Sequence, residues 1–393
     1  MTILSDMRRI PLSVPEISGN EWLYVKDCLD TNWVSSVGRY VTEFEDKMAE
    51  AVGTDHAVAT VNGTAALHLA LLACGVEPGD EVVTSDLTFI ASANSIRYCS
   101  AWPVLVDSEP AHWQIDTGLV QNFLREQCQV VEGRLVNKGT RRRIAALLPV
   151  HVLGHPVDMD VLLDLGREFA IPVIEDASES LGATYKGRPT GSLGTAGCFS
   201  FNGNKLITTG GGGMITTRDA EIAAHTKYLS TQAKDDPTEY IHGCIGYNYR
   251  LTNVLAALGC AQLERLTEYV QRKLKIASTY RAELSELPGI GFQEVASWAA
   301  SSHWLFTITV DGPQFGCDRT ELMNHLGQLG IESRPLWQPM HQSPVHRECE
   351  IIGGEISRRL NSTALSIPCS VGLTEEDQHR VIAAIRQRGA RHG

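Results

Sequence analysis

Between about residues 55 and 215, short apolar runs bounded by turn residues alternate with longer amphipathic stretches. Five of the runs predict strands, at residues 56–61, 81–84, 103–107, 144–150 and 171–175. The stretches between them have the length of helices. This alternation predicts an α/β fold with a mostly parallel central sheet and helices on both faces. Ligands bind such sheets at the carboxyl ends of the strands, so the residues that follow each strand are candidates for chemistry.

The pattern changes near Pro288, and the change divides the chain into two predicted parts. Helical stretches at about 219–229 and 252–286 close the first part. The second part contains an apolar run at 304–310, an amphipathic helix at 319–329, a proline-rich loop at 335–344 and a last helix from about residue 374. We therefore expect an N-terminal segment and large domain over residues 1–287 and a small C-terminal α/β domain over residues 288–393.

The composition is that of a globular protein with a sizeable core. The chain has 393 residues, 43% of them apolar, and a formal charge of −12, which argues against a general nucleic-acid or anionic-membrane binder. Its ten cysteines form no C-x-x-C pair and no Cys/His cluster with metal-ligand spacing, so we expect no metal site. The start lacks the apolar core of a signal peptide, and no run is long enough to span a membrane. We expect a cytoplasmic protein with reduced thiols and no membrane partner.

A candidate phosphate site follows the first predicted strand. Asn62, Gly63 and Thr64 open a predicted helix, so their backbone N–H groups point where an anion would bind. The ordinary alternative is a strand-to-helix turn in which Thr64 is the N-cap. This motif alone does not decide between the two.

Two charged residues with no obvious partner lie further along the chain. Asp176 follows an apolar strand, where its carboxylate could pair with a cationic nitrogen or a metal, or could simply cap the next segment. Lys205 lies among small and polar residues just before four glycines, Gly210 to Gly213, although a solvated surface lysine is the usual alternative. An anion-binding turn, a strand-end acid and an isolated lysine are together what pyridoxal phosphate requires.

Four segments carry a resemblance to a known family: residues 62–64 (Asn-Gly-Thr), 175–177 (Glu-Asp-Ala), 200–205 (Ser-Phe-Asn-Gly-Asn-Lys) and 246–250 (Gly-Tyr-Asn-Tyr-Arg). They resemble those of the DegT/DnrJ sugar aminotransferases, a fold-type I family related to aspartate aminotransferase. Residues 32–36, 44–45 and 335–341 extend the resemblance over nearly the whole chain. It implies that Lys205 forms the Schiff base with pyridoxal phosphate and that Asp176 pairs with the pyridine nitrogen. It further implies that Gly63, Thr64 and Ser200 hold the phosphate.

The same resemblance implies roles for residues outside these central motifs. Phe89 would stack over the cofactor ring, with an ordinary core phenylalanine as the alternative. Glu179 would lie near the phenolic oxygen of the cofactor, where many relatives have Gln or His. Asn248 would reach the phosphate of the neighbouring subunit, which implies a homodimer with active sites at its interface. The residues expected at the substrate are Trp33, Ser35 and His341, with His151 as a weaker candidate because a single histidine is more often structural.

The lysine also indicates which reaction is catalysed, since relatives that dehydrate sugars carry histidine at the position of Lys205. We expect transamination: glutamate converts the cofactor to pyridoxamine phosphate, a keto sugar accepts the amino group, and Lys205 moves the proton. The glycine-rich variant after Lys205 resembles the branch acting on UDP-linked 4-keto-6-deoxy-N-acetylhexosamines. The expected substrate is thus a UDP sugar for bacterial surface glycan synthesis, and a GDP-linked 4-keto-6-deoxymannose of the perosamine type stays an alternative.

Two other functions remain open from the sequence. A cofactor-binding homologue without turnover is disfavoured because Lys205 and Asp176 are both present. An ordinary amino-acid aminotransferase would need an arginine to bind a second carboxylate, and Arg334 is the candidate, although the loop after it matches the sugar family better. The run Arg141–Arg143 is expected to be a solvated face, because it precedes a buried strand.

Overall fold

The computed structural model describes residues 8–236 and 238–389, and within them the amphipathic stretches form α-helices. The helices are α1 (Glu21–Asp30), α2 (Arg39–Val52), α3 (Gly63–Ala73), α4 (Ala91–Tyr98), α5 (Thr117–Asn122), α6 (Met159–Phe169), α7 (Ala220–Ser230), α8 (Asn253–Leu263), α9 (Leu266–Leu284), α10 (Gly312–Phe315), α11 (Arg319–Gln328), α12 (Glu355–Thr363) and α13 (Glu375–Gly389).

The apolar runs form strands, and several shorter strands lie in the connections. The strands are β1 (His56–Thr60), β2 (Glu81–Ser85), β3 (Trp102–Val106), β4 (Cys128–Val131), β5 (Arg134–Asn137), β6 (Ile144–Leu148), β7 (Ile174–Asp176), β8 (Thr184–Tyr185), β9 (Arg188–Pro189), β10 (Ala196–Ser200), β11 (Gly213–Thr217), β12 (Lys234–Asp236), β13 (Ile241–His242), β14 (Ile290–Phe292), β15 (Ala299–Ala300), β16 (Phe306–Val310), β17 (Arg334–Pro335), β18 (Glu350–Ile352) and β19 (Ala364–Ile367).

The central sheet consists of two groups of four strands. One group has the order β1-β11-β10-β7 and the other has the order β6-β2-β3-β18. Parallel bridges between Leu147 and Val173 and between Val150 and Asp176 connect β6 with the β7 side. Strand β11 is antiparallel to both of its neighbours, whereas the remaining pairs are parallel. The predicted α/β fold with a mostly parallel sheet is confirmed.

Both faces of this sheet are covered by helices. Adjacent residues of a strand point to opposite faces, and β10 and β11 follow this rule. Phe199 and Met214 pack with residues of α2 and α8 in one core cluster. Cys198 and Ile215 pack with residues of α3 in another. Burial on both faces explains why apolar residues of these strands point to both sides of the sheet.

The C-terminal part has its own antiparallel sheet, with the strand order β14-β16-β19-β17. Residues of α9, α11 and α13 pack on it in a large core cluster. The two predicted parts also share segments: β18 joins the central sheet beside β3, and Ile10 near the start of the chain pairs with Ile331. The division between residues 287 and 288 therefore stays a prediction.

One predicted element differs in the structure. The helix expected over 252–286 is two helices, because α8 ends at Leu263 and α9 begins at Leu266. The carboxylate of Glu264 lies at the break and accepts hydrogen bonds from Asn20 and from the Tyr24 hydroxyl at 2.8 and 2.6 Å, so the break is anchored to the start of the chain. None of the helices in the described ranges has the length and apolar character needed to cross a membrane.

Candidate active site

A cavity of about 350 Å³ lies at the carboxyl ends of β7 and β10, beside the start of α3. The predicted residues that line it come from four segments that are distant in sequence. Seven of the residues predicted for the site line it, namely Gly63, Thr64, Phe89, Asp176, Glu179, Ser200 and Lys205. The cavity therefore lies where the topology of the sheet predicts a ligand.

The phosphate end of the cavity is formed by the start of α3. The side chain of Asn62 caps this helix, accepting a hydrogen bond from the N–H of Ala65 at 2.8 Å. The N-cap is therefore Asn62 and not Thr64, the residue that the ordinary alternative supposed. The N–H groups of the first turn have no intrahelical acceptor, so those of Gly63 and Thr64 can bind an anion.

Gly63 is required by the close approach of α3 to β10. A Cβ atom at this position would lie 2.7 Å from the Cβ atom of Ser200, which is too close for any side chain. The glycine thus lets the helix N-terminus and the Ser200 hydroxyl act on the same ligand. A phosphate group fits this arrangement of donors.

Asp176 is the last residue of β7 and is 4% exposed. One carboxylate oxygen accepts a hydrogen bond from the Ser92 hydroxyl at 2.7 Å, and the other accepts one from the N–H of Ser178 at 3.1 Å. Both donors are uncharged. The buried carboxylate therefore keeps its charge available for a cationic ring nitrogen in the cavity.

Lys205 is buried in the same cavity and is not a solvated surface lysine. Its Nζ atom lies 3.6 Å from Oε1 of Glu179 and 3.8 Å from the ring centroid of Trp304. Burial lowers the pKa of Lys205, whereas the carboxylates of Glu179 and Asp176 raise it. Burial also raises the pKa of Glu179 to about 7, although Lys205 and the N–H of Leu153, 2.9 Å from Oε2, act in the opposite direction. The amine, the acid and the phosphate end together fit pyridoxal phosphate.

Replacing Glu179 with Gln should make Lys205 more reactive toward the cofactor at neutral pH. Loss of the negative neighbour lowers the pKa of Lys205, so more of the side chain is the free amine that attacks a carbonyl. We expect the apoprotein of this variant to capture pyridoxal phosphate several times faster at pH 7.5, measured by stopped-flow absorbance. A rate equal to that of the wild type would show that Glu179 does not stabilise the charged form of the Lys205 amine.

Two tryptophans of the cavity were missed by the sequence analysis. Trp304 and Trp337 line it from the C-terminal part, with their rings stacked at a centroid distance of 6.2 Å. Trp304 lies in an apolar run that predicted only a strand. Trp337 lies within the loop motif at 335–341, and this motif could have identified it as a residue of the site.

Four of the predicted residues lie outside this cavity in a single chain. Trp33 lines a separate cleft of about 660 Å³, and the backbone carbonyl of Ser35 accepts a hydrogen bond from the N–H of Asn253. The imidazole Nδ1 atom of His341 lies 2.7 Å from the Asp86 carboxylate. Asn248 is exposed on the surface. The roles expected for these residues stay predictions.

The structure corrects the expectation for His151. The side chain is fully buried, with Nδ1 accepting the N–H of Val157 at 3.0 Å and Nε2 lying 3.0 Å from the Glu175 carboxylate. Since the first contact needs an unprotonated Nδ1, Nε2–H donates to Glu175. His151 is therefore a structural residue beneath the site and does not reach the cavity.

The two arginine hypotheses have different outcomes. Arg334 is exposed, lies 2.7 Å from the Glu332 carboxylate and does not line the cavity, so the structure gives no support to the carboxylate clamp that the sequence already disfavoured. In the run Arg141–Arg143, Arg141 is exposed as expected. Arg143 is instead partly buried and forms a salt bridge with Asp80 at 2.5 Å, because it anchors the loop before β6.

Comparisons with known proteins identify the family of the chain. The sequence profile of the DegT/DnrJ/EryC1/StrS aminotransferase family matches residues 15–386. A GDP-perosamine synthase of Caulobacter vibrioides is 42% identical over 98% of this chain and 99% of its own. A GDP-perosamine synthase of Escherichia coli O157:H7 is 36% identical over 97% and 99%.

A solved structure gives the same result at the level of the fold. DesV of S. venezuelae, determined in complex with a ketimine intermediate, superimposes with a TM-score of 0.85, at 31% identity and with 95% of each chain covered. The match spans both the central sheet and the C-terminal part. The chain belongs to the DegT/DnrJ/EryC1/StrS family and is a pyridoxal-phosphate-dependent sugar aminotransferase.

Proposed function

We propose that this enzyme transfers the amino group of glutamate to the 4-keto carbon of GDP-4-keto-6-deoxymannose. The observation that carries the proposal is the 42% identity to a GDP-perosamine synthase over 98% of the chain. A second GDP-perosamine synthase at 36% identity supports it. Similarity along the whole chain weighs more than the few loop residues that favoured a UDP-linked sugar.

Bound pyridoxal phosphate supplies an electron sink for the carbon that loses or gains a proton. Gly63, Thr64 and Ser200 would hold its phosphate, and Asp176 would keep its ring nitrogen protonated. Lys205 would carry the proton between the two reacting carbons from its place in the cavity. The hydrogen bonds of Asp176 to Ser92 and Ser178 keep the carboxylate fixed during both half-reactions.

We further propose a homodimer whose partner completes each site. Phe89 lines the cavity but is 54% exposed in the single chain. A ring that stacks on the cofactor, as predicted for Phe89, is expected to be covered. Trp33, 55% exposed, lies outside the cavity, as does Asn248. These positions support a second copy that covers Phe89 and brings its own Asn248 to the phosphate.

The test of the proposed acceptor is a comparison of two nucleotide sugars. The enzyme is loaded with pyridoxal phosphate and treated with glutamate, which should remove the visible band of the bound cofactor. GDP-4-keto-6-deoxymannose should then restore the band and yield a GDP-amino sugar detectable by mass spectrometry. We expect its kcat/KM to exceed that of a UDP-4-keto-6-deoxy-N-acetylhexosamine by about a hundredfold or more.

The other outcomes each favour a different function. Preference for the UDP sugar would overturn the proposed acceptor and support the substrate predicted from the loop residues. A cofactor band that responds to neither glutamate nor any sugar would indicate a homologue without turnover. Efficient transfer from glutamate to small keto acids, with no sugar accepted, would indicate an amino-acid aminotransferase.

A further inference from the structure

The amine of Lys205 is covered by the indole ring of Trp304. The distance of 3.8 Å from Nζ to the ring centroid lies well within the range of a cation–π contact. Trp304 is 4% exposed, so water does not screen the contact from that side. Glu179 approaches the same amine at 3.6 Å, and Lys205 is thereby held between a carboxylate and an aromatic face.

Trp304 is itself fixed by polar contacts on three sides. Its indole N–H donates a hydrogen bond of 2.7 Å to the carbonyl of Asn204, the residue before Lys205. Its backbone N–H donates to the carbonyl of Leu153 at 3.1 Å. Its backbone carbonyl accepts a hydrogen bond of 2.7 Å from the amine of Lys273, which is only 3% exposed.

This arrangement connects the C-terminal part of the chain with the catalytic lysine. Lys273 lies in α9, and its amine also donates to the carbonyl of Cys369. A buried amine is costly to desolvate unless it donates hydrogen bonds. Because the amine of Lys273 donates to the carbonyls of Trp304 and Cys369, it connects the two segments that contain these residues. The backbone of Trp304 is thereby held in place, and the indole cannot turn away from Lys205 without breaking its hydrogen bond to the carbonyl of Asn204.

We propose that Trp304 is a positioning residue for Lys205, whose indole face holds the amine of the free enzyme in its charged form and in place for the cofactor. Lys273 would act indirectly, by fixing the backbone of Trp304. The inference rests on the use of pyridoxal phosphate and is independent of which sugar accepts the amino group. The carboxylates that act on the charge of Lys205 are Glu179 and Asp176, and both must stay unchanged in the Trp304 variants.

The test measures how the rate of pyridoxal phosphate capture by the apoprotein depends on pH, using stopped-flow absorbance. Capture needs the free amine, so the midpoint of the profile reports the pKa of Lys205. In Trp304→Leu an apolar side chain replaces the negative face of the indole, and the midpoint should move down by about half a pH unit or more. In Trp304→Phe the weaker aromatic face should give a smaller shift in the same direction, and this variant serves if the leucine variant does not fold.

Two controls separate positioning from general damage. Trp22→Phe replaces a tryptophan that is 75% exposed on α1 and should leave the midpoint unchanged. Glu179→Gln should lower the midpoint through loss of a charge. A wild-type midpoint in both Trp304 variants would overturn the inference, even if their stability fell. Shifted midpoints in an enzyme that does not aminate the GDP sugar would instead refute only the proposed function.

Discussion

Replacement of Lys205 by Ala should lower kcat for sugar amination by at least about a thousandfold. The lining of the cavity, as described, contains no second lysine that could take over the proton transfer. The side chain is 13% exposed, and its amine contacts Glu179 and Trp304, a position that the methyl group of alanine does not reach. The visible band of the bound cofactor should also be lost, because it depends on the bond to this amine.

The control for this variant is Lys275→Ala. The Lys275 side chain is 71% exposed and forms a salt bridge with Glu375, so its removal should leave kcat within about twofold of the wild type. Gel filtration and circular dichroism should show the same assembly and fold for both variants. Sugar amination by Lys205→Ala at a rate near that of the wild type would contradict the assignment of the lysine.

Most of the large sheet was predictable from the sequence because its strands are buried on both faces. Residues 81–85 and 144–148 are buried at every position; the second segment is a continuous apolar run, and the first contains the β-branched residues Val82, Val83 and Thr84 in succession. Strand β18 was not predictable. It has only three residues, and its place beside β3 depends on a contact between segments far apart in the chain, including the hydrogen bond from Asn137 to Glu350 at 2.5 Å.

The candidate site shows the same division between local and distant signals. Gly63, Asp176 and Lys205 each lie in a local motif whose chemistry can be interpreted without the fold. The contact of Trp304 with Lys205 joins residues about a hundred positions apart and depends on how the C-terminal part packs. The raised pKa of Glu179 likewise depends on burial in the folded chain. The sequence shows only that Glu stands where many relatives have Gln or His, and this difference does not reveal whether the residue is buried.

Asp176→Asn is the second change with a large expected effect. The amide has nearly the shape of the carboxylate and can still accept the hydrogen bond of 2.7 Å from Ser92, but it loses the one from the N–H of Ser178 and carries no charge. The ring nitrogen of the cofactor would lose the anion that keeps it protonated, and the electron sink would weaken. We expect kcat to fall by about a hundredfold or more and the affinity for pyridoxal phosphate to decrease.

Ser92→Ala distinguishes the charge of Asp176 from its orientation. This variant keeps the carboxylate and removes the hydrogen bond that the Ser92 hydroxyl donates to it, together with the contact of 2.9 Å between the Ser92 and Thr88 hydroxyls, so kcat should fall by at most about tenfold. Single-turnover absorbance with glutamate and then with the keto sugar would measure both half-reactions, and Asp176→Asn should slow both because each passes through the same electron sink. Equal losses in the two variants would show that orientation of the carboxylate matters more than its charge. Normal rates in Asp176→Asn would mean that another residue protonates the ring nitrogen.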